Sequence, residues 1–315
     1  MRFIGRRLVA LAAVLLVVTI LSYGLISLLP GDPAILILGP NATPKAVAQI
    51  REQLHLNDPF FVQYWHWLGG ILHGDFGISY LTKQSVGHTL LTRLPVTLEI
   101  LLVSQVMALA ISIPLGIISA MRPNGILDRA VTGGAFLVLS LPSFIVAVLL
   151  VYLFAVHWHF FPATGYTNFR DDPLQNLKSV FLPAVTLAVG SLAVYVRVLR
   201  AEMIATLQED FVMVARAKGL STSYILLRHA FRPSTFTLTT VAGLNIGALI
   251  GGAFIVEYIF AVPGIGYYTV TSIYQRDYLA VQGAVVVVAA GFVVVNFLVD
   301  MLYPLLDPRT RHARA

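Results

Sequence analysis

The chain has 315 residues, 57% of them hydrophobic and only 11% charged, with a formal net charge of +6 and no cysteine. That apolar share exceeds what a soluble globule carries once its core is filled, so a bilayer is the expected solvent. The missing cysteine excludes disulfides and thiolate metal sites, and the basic balance comes without the basic stripe or stacking platform of a nucleic-acid binder.

Six stretches, uncharged or nearly so, approach the roughly 20 residues a helix needs to cross the hydrocarbon core. They are 8–29, 96–120, 130–156, 180–196, 236–260 and 281–303. The first follows Arg2, Arg6 and Arg7, but its apolar run is too long for a signal peptide and no small-residue cleavage site follows. It reads as a retained anchor. The next 66 or so residues, 30–95, are too polar to span. Phe60, Phe61, Tyr64, Trp65, Trp67 and Leu68 cluster there, and such rings suit a headgroup boundary. An outer-face cap packed on helix ends is expected in preference to a substrate contact. The chain thus divides into 1–95, the first span plus an outer-face segment, and 96–315, a five-helix core with a long polar loop near 201–235.

Within the core, Pro114, Pro142 and Pro183 are expected to bend their helices, since each removes a backbone donor. His157 and His159 flank Trp158, but residues at i and i+2 point apart on a helix, which favours an interface anchor over a metal site. Gly243, Gly247 and Gly251 recur at four-residue spacing, a packing seam first and a pathway lining second. Asn245 suits an interhelical hydrogen bond. Charge inside a bilayer is costly, so Glu99, Glu257 and Asp300 are weighed as functional groups. All three fall near helix ends, where structural or interfacial roles come ahead of gating. Glu99, Asn245, Gly247, Gly251 and Glu257 are the positions on which a pathway or gate would draw. No ladder of carboxylates and histidines crosses the membrane centre, which disfavours an ion-driven carrier.

Basic residues collect on the cytoplasmic side of spanning proteins. With six spans both termini share one side. That side takes Arg2, Arg6 and Arg7, then Arg122 and Arg129, the six bases of 197–235, and Arg309, Arg311 and Arg314, most of the chain's 21. Both termini are therefore expected to be cytoplasmic.

The long loop holds a short helix with both ends marked. Asp210 is expected to cap its start, and Gly219 to end it in the left-handed conformation after Lys218. Ser221 is expected to cap a second helix, through Arg228 and His229, that stops at Pro233. Ala215 and Ala217 are small enough for close approach to another surface, while Arg216 and Lys218 supply charge. Spacing alone leaves open a docking helix and a solvated connector.

The run Ala215-Arg216-Ala217-Lys218-Gly219-Leu220, followed by Arg228-His229-Ala230, resembles the coupling loop of binding-protein-dependent ABC import permeases, in the form of the dipeptide and oligopeptide group. Ala215 and Gly219 match the general pattern, while Met213 and Val214 replace its glutamate and first alanine. Further resemblance to that group's first-type subunit lies in Leu29-Pro30-Gly31-Asp32-Pro33, Gly74-Asp75-Phe76-Gly77, Thr97-Leu98-Glu99, Pro162 with Gly165, Glu257 through Pro263-Gly264-Ile265-Gly266, and Asp300 through Leu306-Asp307-Pro308-Arg309.

The resemblance implies an all-α polytopic membrane protein of six transmembrane helices with the type I ABC importer permease fold. It implies multi-pass residence in the cytoplasmic (inner) membrane of a bacterium and import of di- or oligopeptides, with nickel or glutathione on the same machinery as alternatives. Asp210, Ala215, Arg216, Ala217, Lys218, Gly219 and Leu220 would couple to an ATPase. The implied partners are a second homologous permease subunit, two cytoplasmic ABC ATPase subunits or domains, an extracytoplasmic solute-binding protein and membrane lipid. ATP and Mg would sit on the ATPases, with no cofactor in this chain. Lys45, Lys83, Lys178 and Lys218 each lack the preceding glycine of a phosphate-binding loop, so hydrolysis is not expected here. Two other classes are a stand-alone channel or secondary carrier, and an intramembrane enzyme. The second lacks paired carboxylates, His-Glu-x-x-His spacing and a nucleophile elbow.

Overall fold

The structure, a computed structural model, describes residues 2–27, 33–38, 42–53 and 56–306. These form α1 (Arg2–Ser27), α2 (Pro33–Leu38), α3 (Pro44–Gln53), α4 (Phe60–Leu72), α5 (Val86–Met121), α6 (Ile126–Leu139) and α7 (Ser143–Leu150). After a π-helical turn at Val151–His157 come α8 (Pro173–Leu207), α9 (Asp210–Ala217) and α10 (Thr222–Tyr224). A second π-helical turn, Ile225–Phe231, leads into α11 (Arg232–Ile259), followed by α12 (Ile265–Gln275) and α13 (Tyr278–Leu306). Among the described residues the only isolated extended pairing is the bridge between Ile78 and Ser85.

The protein is all-α and polytopic. Four helical stretches are long and apolar enough to cross a membrane: Val86–Met121, Pro173–Leu207, Thr222–Ile259 and Tyr278–Val299. A fifth exists if α6 and the Ser143–His157 stretch, bent by 104° against each other, count as one span. In α1 the apolar run is the shorter Val9–Gly24, so the expected six is not reached by length and composition alone.

Three boundaries also differ from expectation. α5 begins at Val86, not at 96, because Pro95 is carried inside the helix. α8 extends from Pro173 to Leu207, well past 180–196, started by Asp172, whose carboxylate accepts from the Leu174 and Gln175 amides at 3.0 Å, and by Pro173 in the first turn. The third span does not run unbroken through 130–156. It stops at Leu139 and restarts at Ser143 with Pro142 at the cap, because proline lacks the donor and disfavours a helical residue before it.

The chain forms two compact units, Met1–Val96 with Gly264–Val293, and Thr97–Pro263 with Val294–Ala315. In the first, the aromatic residues of α4 pack on α1. Tyr64 is 2% exposed and its hydroxyl lies 2.9 Å from Thr19 Oγ1, while Tyr23 meets Phe60 and Trp67 with ring centroids 5.5 and 5.2 Å apart. Phe61 and Trp65 remain exposed. A second core joins Val86 and Leu90 to Ile265, Tyr268, Ala280 and Ala284. Nearby, the Ser79 hydroxyl donates to buried Asp277.

In the second unit α8 is the hub on which α6, α7 and α11 pack. Its core unites Tyr195, Leu199 and Met203 with Ala108, Leu226 and Leu238. Two close helix contacts depend on a missing side chain. A Cβ on Gly116 would come within 2.9 Å of Leu199, and one on Gly243 within 2.5 Å of Val299. Gly251 has nothing within 4 Å, so the expected three-glycine seam packs tightly at Gly243 and is open at Gly251.

Candidate functional site

The connection between α8 and α11 carries the most distinctive local chemistry. α9 is eight residues long, too short to persist alone in water. Val212 and Ala215 hold it in place by packing on Ile225, with Leu207 half-buried against them. Ala215 therefore faces inward, at 5% exposure, and does not offer its small surface to a partner as expected. Its outer surface is instead apolar and bare, with Phe211, Met213 and Val214 all exposed and Leu220 following. Arg216, Ala217, Lys218 and Gly219 are exposed beside them. The seven expected residues, Asp210 and Ala215 to Leu220, thus fall in one short segment.

Its ends differ in part from expectation. Glu209, not Asp210, occupies the cap position, and its side chain makes no capping bond. Asp210 is the first helical residue, where its negative charge still complements the helix dipole. Gly219 has φ +75°, the Gly219 amide donates to Arg216 O at 2.9 Å and the Leu220 amide to Ala215 O at 3.3 Å, a Schellman ending. Ser221 caps the next helix, accepting from the Tyr224 amide at 3.4 Å. That helix does not stop at Pro233. It passes through the π-helical turn into α11, with Pro233 in the first turn of the new register, where the missing proline N–H breaks no ladder.

At the same end of α8 lies a buried ion pair. Asp128, 3% exposed, accepts from Arg200 Nε, from Arg200 Nη2 at 2.6 Å, from the Ser119 hydroxyl and from the Asn124 amide at 2.7 Å. One carboxylate ties the end of α5, the following turn, the start of α6 and α8 together. Sequence reading passed over both residues. The available signal was an acid two positions before an apolar run and an arginine just beyond another.

The other singled-out residues are scattered. Glu99 accepts from the Tyr166 hydroxyl at 2.6 Å and lines a hollow of about 660 Å³ with Phe169, Leu174 and Leu177. Burial first, and then the bond to Glu99, push the Tyr166 phenol well above its usual range, so it stays a donor at every physiological pH. Asn245 Nδ2 donates to Ser191 Oγ at 2.7 Å and Tyr195 Oη at 2.9 Å and faces a separate cavity of about 240 Å³. Gly247 and Glu257 are buried in α11 and line neither hollow. The Asp300 side chain, 28–32 and 307–309 lie outside the described residues.

A multi-spanning helical protein with a short, firmly packed helix between two of its long apolar helices is the class of a transport permease. The chain belongs to the family of binding-protein-dependent transport system inner membrane components. It matches that family over residues 112–312, and the family's N-terminal component over residues 1–101. A putative peptide transport system permease protein of Brucella abortus (strain 2308) is 40% identical over 307 residues, 98% of each chain. The dipeptide transport system permease protein DppB of Escherichia coli (strain K12) is 34% identical over the whole of both. Among solved structures, the inward-facing MetNI methionine ABC transporter shares the fold at TM-score 0.58 and 17% identity, over 70% of this chain and 96% of that one.

Proposed function

We propose that the chain is a permease subunit of an ATP-driven importer for dipeptides or short oligopeptides, with α9 as the docking helix for a partner ATPase. The observation that carries this is the bare apolar surface of Phe211, Met213 and Val214 on a helix whose other side is locked to α8 and Ile225. Exposed apolar side chains grouped on a rigid support mark an interaction surface. A push on that surface passes through Leu207 into α8 and through Ile225 into α11, the pair on which the unit is built. The relatives named as peptide and dipeptide permeases support the solute class.

In this arrangement both termini and α9 face the cytoplasm, as the basic residues favour, and α1 supplies the remaining span. A second, homologous permease completes the pore, two ATPase subunits or domains bind ATP and Mg, and an extracytoplasmic binding protein delivers the solute. ATPase closure would rock packed helices between two arrangements of similar energy. Residues 1–95 hold the first span, the outer segment and the opening turns of α5, and 96–315 the rest of the helical core. Glu99, beside its hollow in the first half of α5, is the residue assigned to the entry side of the pathway in this reading. The test is uptake of a radiolabelled dipeptide into vesicles holding the assembled complex. Uptake that requires both ATP and the binding protein is expected, and uptake by this chain alone would refute it.

A further inference from the structure

We propose that the break between α6 and α7, together with Asn245 and Ser191, forms a subsite that holds the main-chain amides of a peptide during its passage. This rests on the peptide reading above and goes beyond it by naming what the permease itself recognises.

Residues 140–142 interrupt a span near its middle. Among the described residues, the amides of Ser143 and Phe144 and the carbonyls of Leu139, Ser140 and Leu141 make no backbone hydrogen bond. Irregular backbone at membrane depth persists only where protein buries it or where it lines a cavity. Here a cavity of about 240 Å³ lies against the break, lined by Leu139, Leu141 and Ser143 and, from α8 and α11, by Ser191 and Asn245. Both N–H groups of Asn245 are engaged, one by Ser191 and one by Tyr195. Its Oδ1 is left as the acceptor without a bond among the described residues. Behind it Tyr195 donates to Gln105 Oε1 at 2.9 Å, which fixes the direction of the chain of bonds. Gln105 Nε2, at its far end, is buried without a partner among the described residues.

The lining is uncharged, with the hydroxyls of Ser143, Thr186 and Ser191 and the Asn245 amide set among apolar side chains. It lacks the imidazole, thiolate or carboxylate that would select a transition metal, and it lacks a charge to hold an ion. What it offers are neutral backbone donors and acceptors, the Asn245 carbonyl oxygen and the hydroxyls of Ser143, Thr186 and Ser191, the complement of a peptide unit. The cavity is smaller than the roughly 300–1,000 Å³ of a pocket for a drug-sized ligand, so it takes one or two residues of a peptide at a time. Recognition of the main chain alone leaves the solute's side chains unread.

The test uses the complete assembly in proteoliposomes with its binding protein, and two labelled solutes, dialanine and its analogue methylated on the peptide nitrogen. The methyl group removes the donor that Asn245 Oδ1 would accept. Because the same binding protein serves every variant, a change in the uptake ratio of the two solutes belongs to the permease. Asn245→Leu is expected to lower the preference for dialanine by about tenfold, the scale of one lost hydrogen bond in a closed site. Leu139→Trp fills the cavity from its rim without touching the polar chain, and is expected to cut uptake of both solutes at least tenfold in an assembled complex. An unchanged ratio in assembled Asn245→Leu, or wild-type uptake by Leu139→Trp, overturns the proposal; if Asn245→Leu does not assemble, Leu139→Trp decides. Wild-type import of some other solute with neither peptide moved would instead show that the peptide reading itself has failed, and the subsite with it.

Discussion

Gly219 carries the end of α9 in a left-handed conformation, at φ +75° with nothing within 4 Å of a Cβ placed there. A side chain at this position meets no clash inside the chain and faces only the conformational cost of about 1–2 kcal/mol. Gly219→Val should therefore insert normally and yet lower uptake about tenfold while ATP hydrolysis continues, read by measuring both on one preparation. Normal coupling would mean that nothing docks against the end of α9. Asp128 makes a contrasting case. Removing one partner of a buried pair leaves the other charge stranded, and with Arg200 at 24% exposure solvent recovers part of the loss. Asp128→Ala is expected to cost about 2 kcal/mol, seen as a lower unfolding temperature in detergent, with Asp128→Asn milder. The two residues also differ in what sequence can reveal. A glycine just after Lys218 declares a helix end, because only local geometry is involved. The Asp128–Arg200 pair spans 72 positions, and nothing local distinguishes Asp128 from an ordinary loop acid.

Apolar length made the elements visible, and proline made their limits misleading. The stretches 96–120, 180–196 and 281–303 lie within long apolar helices, and 236–260 overruns one by a single residue, since a helix satisfies its own backbone groups in lipid. Pro233 suggested a boundary that the helix passes through, while Pro142, expected only to bend its helix, breaks it by 104°. The outcome turns on whether neighbours re-satisfy the freed backbone groups, and only tertiary structure decides that. α9 shows the same limit. Its span and C-terminal end were legible, but the burial of Ala215 depends on Ile225 and Leu207, so the proposed docking surface is that of exposed Phe211, Met213 and Val214. Val214→Asp, at an exposed position, should change stability by less than about 0.5 kcal/mol. It should nonetheless remove the ATPase from material purified through the permease in mild detergent. Retention of the ATPase would place its contact elsewhere.

At the scale of the molecule, a single loop between α8 and α11 joins the most buried span to a helix with an exposed face. Family membership assigns the chain to a binding-protein-dependent inner-membrane system. The central claim is thus where α9 sits and what it touches. The chain has no cysteine, so Ala217→Cys introduces a single thiol on the exposed side of α9. In membranes of cells making the full assembly, a short bifunctional thiol cross-linker should join this position to the ATPase, and a membrane-impermeant maleimide added outside should leave it unlabelled. Labelling from outside, with no cross-linked ATPase, would contradict the docking role and the topology together.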